Sequence, residues 1–294
     1  MLPFWISISL LSLVQGLLVA LSGALSWAGA ARLRSRRWAV IPPLSVLAFV
    51  FGARAAESAS AQGLTYLALV AVPVLAALAL GWLVWGCARG AGRRALRASA
   101  VAPLFALAWL DRGGLAGEAA AVCLSGLSCV ALGVLLAGVT PPRWLAGGIV
   151  AMALADTALV VSDLLQRPND ALNAARPAAN LPQLQSAVLG SAVMGYGDLF
   201  IAGVLGGLLA ATFGRRLQLR AALLVAILAL VFDLLFLLVD ELPATVPVAL
   251  ALIAVLLRRR WRFAGAPEAL ASPGGVAAEH PRSRAPLARL SPER

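Results

Sequence analysis

The stretch Gly195-Tyr196-Gly197-Asp198 sets a carboxylate between closely spaced glycines and the apolar run that follows. Asp156 and Asp233 lie well inside other apolar runs, and Asp163 lies toward the end of one. At such depth in a bilayer an ionisable group costs roughly 2.5 to 3.5 kcal/mol on insertion scales, so each needs a function or a partner. What the chain lacks narrows that function. Its single histidine is His280, and its 24 basic residues include no lysine. That removes Ser-His and Cys-His nucleophile pairs, a Ser-Lys dyad, a Schiff-base lysine and the HExxH zinc motif. Cys87, Cys123 and Cys129 fall in apolar runs without a second CxxC pair or a nearby histidine, so neither a disulfide framework nor a metal site is expected. No cofactor is expected either. Carboxylates are the acid-base groups that remain.

Two carboxylates facing each other in a low dielectric share a proton, and such a pair can hydrolyse an amide. The ionised partner takes a proton from a water held between the two. The protonated partner donates to the scissile carbonyl oxygen, and the pair titrates as a unit. Gly195 and Gly197 suit this chemistry, because a helix flank without side chains lets a substrate backbone or a neighbouring helix approach Asp198. Tyr196, between them, is expected to pack, with a hydroxyl in range of a carboxylate. Asp233 is expected to make a helix-packing or pore-facing contact rather than to form a third catalytic group.

The elements that must position these residues follow from composition. Of 294 residues 61% are hydrophobic and 13% charged, with a mean hydropathy of +0.90, which a water-soluble domain of this length does not show. The expected class is an all-α polytopic membrane protein. A net charge of +11 could suggest nucleic acid, but the arginines cluster between apolar runs, where lipid head groups and topology explain them, so no nucleic-acid partner is expected. Apolar windows near the ~20 residues needed to cross a bilayer recur nine times. They cover residues 3–30, 38–53, 64–87, 98–110, 115–139, 144–165, 184–213, 221–239 and 243–257. The first has "WAGA" as a possible cleavage site but no basic region before it, so it is expected to be a retained helix.

Arginine clusters follow the first, third, fifth, seventh and ninth spans as "RLRSRR", "RGAGRRALR", "PPRW", "GRRLQLR" and "RRRWR". Because cytoplasmic loops collect arginine, the N-terminus is expected outside and the C-terminus in the cytoplasm of what the Ala/Arg-rich composition suggests is a bacterial plasma membrane. The expected organisation is a five-helix bundle over residues 1–139, a catalytic membrane core over 140–263, and a disordered cytoplasmic tail over 264–294. Residues 166–183 form the one sizeable external loop.

Depth selects the partner of Asp198. At 1.5 Å per residue, Asp156 lies ~18 Å above the cytoplasmic end of the sixth span and Asp198 ~22 Å above that of the seventh. Asp163 comes out at ~28 Å, near the outer surface, and seven residues from Asp156 keep it on the same face as an alternative partner.

"GYGD" resembles the GxGD signature of the presenilin and signal peptide peptidase family of intramembrane aspartyl proteases. Members have nine transmembrane helices, with one catalytic aspartate on the sixth, the GxGD aspartate on the seventh, and a Pro-Ala-Leu motif opening the ninth. The resemblance implies that Asp156 and Asp198 are the catalytic pair. It implies that "LPATVP" holds the third motif, with Pro243 and Ala244 matching and Thr245 standing where the family has leucine. Pro243 lies ~21 Å above the cytoplasmic end of the ninth span, level with both aspartates. Prolines there break the helix ladder and leave carbonyls free to pair with an extended substrate strand. Ala155 replaces the family's tyrosine before the first aspartate. The implied substrates are signal peptides or single-pass transmembrane segments, and an outside N-terminus, as in signal peptide peptidase, implies substrates whose N-terminus faces the cytoplasm.

Two other functions fit part of the pattern. "MGYGD" also resembles prepilin peptidases, which usually carry lysine two residues after the aspartate, where this chain has Phe200, and often a cysteine-rich insert absent here. A proton-coupled transporter could use Asp156, Asp198 and Asp233 as a relay, but the chain shows no inverted repeat.

Overall fold

A computed structural model describes residues 2–24, 33–45, 59–84, 90–162, 181–239 and 241–264. Asp163, His280, Cys87, most of the 166–183 loop and the tail beyond residue 264 lie outside the described residues. The helices are α1 (Phe4–Leu21), α2 (Ala59–Leu78), α3 (Ala91–Ser99), α4 (Val101–Leu110), α5 (Leu115–Val139), α6 (Pro142–Val161), α7 (Tyr196–Thr212), α8 (Arg215–Asp233) and α9 (Val246–Ala264). Strands β1 (Ser186–Leu189) and β2 (Ala192–Gly195) form an antiparallel hairpin just before α7. Residues Met1–Leu256 form one compact unit. Leu257–Arg294 form a second, described only through residue 264, where α9 ends.

Among the described residues five helices are long and apolar enough to cross a membrane: Phe4–Leu21, Thr65–Leu83, Leu115–Val139, Pro142–Val161 and Arg215–Leu237. Tyr196–Thr212 and Val246–Arg258 are apolar but shorter. The outward faces fit the same solvent. Leu67, Val70 and Val74 on α2, and Leu223, Ile227 and Val231 on α8, recur every three or four residues and are exposed. Such stripes are a liability in water and ordinary in lipid.

Several expected boundaries move. The third span runs through α2, with Pro73 inside it, into a π-helical turn at Ala79–Leu83. The fourth breaks at Ala100 into α3 and α4, and the ten residues of α4 reach only ~15 Å. Of the second span only residues 38–45 are described, a short 3-10 turn leading into helix. The ninth helix begins at Val246, after the "LPAT" turn, and continues to Ala264.

The largest correction concerns the seventh span, which is not one helix from residue 184. Residues 186–195 alternate in burial, with Ala187, Leu189, Ala192 and Met194 inward, and pair in register from Ser186 with Gly195 to Leu189 with Ala192. Gly190 at φ 60° turns the hairpin, a conformation side-chain-bearing residues adopt at a cost. Its amide donates to Glu118 Oε2 on α5 at 2.7 Å, and Ser191 donates to the Leu2 carbonyl at 3.1 Å. These bonds fasten the hairpin over the start of α7.

Helix α7 is the packing centre. A Cβ on Gly203 would collide with the Cys129 carbonyl of α5, and one on Gly207 would lie 2.9 Å from the Gly133 carbonyl. On the neighbouring face, a Cβ on Gly206 would lie 2.7 Å from the Val19 carbonyl of α1. Small residues thus let three backbones close up where apolar side chains cannot be driven together by water. Near the C-terminal end of α1, Gln218 Nε2 of α8 donates to the carbonyls of Val19 and Ser22, both at 2.6 Å, and Arg215 donates to that of Ala20. Chain ends of α1 that would otherwise present bare carbonyls are capped across helices.

Candidate active site

Asp198 occupies the first turn of α7, where its Oδ2 accepts from the Gly195 amide at 3.1 Å. That carboxylate serves an orphan donor at the helix start, as an N-terminal acidic residue commonly does. The helix can begin there because β2 ends at Gly195, whose φ of −64° and ψ of 147° leave the helical region.

Asp156 sits on α6 one turn beyond Met152. At Gly197 an added Cβ would stand 3.3 Å from Met152 Cε, so α6 and α7 meet closely beside both aspartates. The carboxyl groups of Asp156 and Asp198 lie within electrostatic reach of one another, and both residues are half-buried. A third segment closes the arrangement. Thr245, buried at 1% exposure, donates its hydroxyl proton to Asp156 Oδ2 at 2.6 Å. Pro243, Ala244 and Thr245 precede α9, with the Val246 amide bonded to the Pro243 carbonyl at 3.1 Å. Three stretches distant in sequence therefore converge: residues 156, 195–198 and 243–245.

Tyr196 is turned to another task. Its hydroxyl pairs with Ser128 Oγ at 2.7 Å, Ser128 donates to the Ser125 carbonyl at 2.7 Å, and Ser125 donates to the Leu184 carbonyl at 3.0 Å. This chain of hydroxyls ties the start of α7 and the entry to the hairpin onto α5. Asp233 accepts from Ser12 of α1 at 2.8 Å, a helix-packing contact. Among the described residues no three histidine, cysteine or acidic side chains assemble as a metal site.

One participant carried no motif. Gln15 on α1 is 1% exposed, and its Nε2 donates to the Ala244 carbonyl at 3.0 Å and to the Asp198 carbonyl at 3.4 Å. A signal existed: an amide in the middle of an apolar span needs partners across the helix interface. The hairpin had one too, since Gly190-Ser191 between two short apolar runs is a two-residue turn pattern.

Comparison with protein-family models, with curated proteins and with solved structures finds no match to this chain.

Proposed function

We propose that this chain is an intramembrane aspartyl protease in which Asp156 and Asp198 form the catalytic pair, on a nine-crossing, presenilin-like fold with its N-terminus outside and its C-terminus in the cytoplasm. The observation that carries the proposal is the convergence of Asp156 and Asp198 on touching helices, with Thr245 of "LPATVP" bonded to one of them. Three short segments with no local reason to meet do so at two carboxyl groups. A staggered relay would instead space its acids across the bilayer, and Asp233 is engaged with Ser12 rather than with either aspartate.

In this reading a water between the carboxyls loses a proton to the ionised aspartate as its oxygen adds to the scissile carbonyl carbon. The protonated aspartate gives its proton to the carbonyl oxygen. Collapse of the resulting gem-diol breaks the C–N bond, with the departing nitrogen taking a proton from the pair. The substrate segment must unwind first, since a helical amide offers no free backbone, and its exposed groups then need partners. Among the described residues no strand pairs with the other edge of β2, which leads into Asp198, so that edge and the 243–245 turn flank the scissile bond as partners.

The test is incubation of the purified protein in liposomes with a panel of single-pass helices and signal peptides, with and without an aspartyl-protease transition-state inhibitor. Asp156→Asn and Asp198→Asn should each abolish cleavage, and the double variant should be no worse than either, since the two act as a unit. Cleavage surviving in both single variants would end the protease reading.

A further inference from the structure

We propose that Gln15 of α1 is a positioning residue for the carboxyl pair: its amide sets how far apart Asp156 and Asp198 stand. This rests on the protease reading for its kinetic consequence, but its geometric content stands independently of it. The geometry is a clamp. One amide nitrogen bonds two backbone carbonyls, that of Asp198 itself and that of Ala244, whose next residue, Thr245, grips Asp156. Both aspartates are therefore tied to one buried nitrogen, each through a short stretch of chain. Neither α6 nor α7 alone fixes the distance between them, because a helix pair touching at Met152 and Gly197 can still rock about that contact.

The other half of the amide shows that Gln15 is not merely a satisfied interior group. Gln15 Oε1 is buried without a hydrogen-bond partner among the described residues. A buried acceptor left unpaired is costly, and an apolar side chain would pack here without that cost. The donor arm is what the position requires. Ser12, also buried on α1, bonds Asp233 and neither aspartate of the pair, and offers a matched control on the same helix.

Gln15→Met keeps length and approximate volume and removes the donor. It should lower kcat about tenfold or more, the effect of one or two lost hydrogen bonds on a pair that must hold its geometry, while KM stays within about twofold. Ser12→Ala, which also breaks a buried α1 hydrogen bond, should lose comparable thermal stability yet keep kcat. A second readout does not depend on proteolysis and keeps both carboxyl groups. The infrared carboxyl bands of the pair, assigned with Asp156→Asn and Asp198→Asn, should titrate in two separated steps in the native protein, and Gln15→Met should bring the two steps closer together as the carboxyls move apart. An unchanged separation of the steps overturns the proposal whatever the kinetics, as does a kcat loss no greater than that of Ser12→Ala at equal stability. A narrowed separation in a protein whose native form cleaves none of the panel would leave Gln15 as the spacer of the pair and end the protease reading instead.

Discussion

Thr245 is the position at which the protease reading is most exposed to a single atom. Thr245→Val keeps the shape of a side chain that is 1% exposed and deletes the hydroxyl bonded to Asp156 Oδ2 at 2.6 Å. A hydrogen bond to a carboxyl group that carries charge during the reaction is worth about 1.5–3 kcal/mol, which corresponds to roughly 10- to 150-fold in rate. The α6–α7 contact at Met152 and Gly197 remains, so the expected loss sits near the lower end of that range, about 10- to 30-fold in kcat/KM. Thr245→Ser, which keeps the donor, should stay within about threefold of the native enzyme. The assay is the initial rate of cleavage of a fluorescent single-pass helix in liposomes, with transition-state inhibitor binding as a measure of intact folding. If Thr245→Val cleaves at the native rate while binding inhibitor normally, the hydroxyl does not support the pair. The 243–245 turn would then be only the entry to α9.

The remaining predictions address the frame. Cysteine probes in residues 166–183 should react with an impermeant thiol reagent from outside and probes near Arg258 and Arg262 should not; the reverse pattern would invert the topology and with it the substrate orientation. Gly203→Val should destabilise the protein by about 1–3 kcal/mol and lower activity in parallel, because the new side chain meets the Cys129 backbone of α5, which cannot yield as a flexible side chain could. A thermal-shift series with Gly147→Val, where an added Cβ meets nothing, is the control, and equal losses at both sites would refute close α5–α7 packing.

Membrane class and candidate pair were legible in the chain because both rest on local quantities. Apolar composition sets the solvent, and a rise of 1.5 Å per residue converts sequence distance into depth, which put Asp156 and Asp198 level before any contact was known. What composition could not decide was which apolar residues are helical. The run from residue 184 to 213 is mostly apolar, and its first part pairs as a hairpin whose turn is held by Glu118 and Leu2. The choice was made by partners 72 and 189 residues away in the chain. The same holds for the site. "GYGD" announces itself, but the bond from Thr245 to Asp156 spans 89 residues and that from Gln15 to Ala244 spans 229, and no periodicity encodes such pairs. They exist because the glycines of α7 let α1 and α5 close on it, so that the start of α9 and the middle of α1 arrive beside the two aspartates.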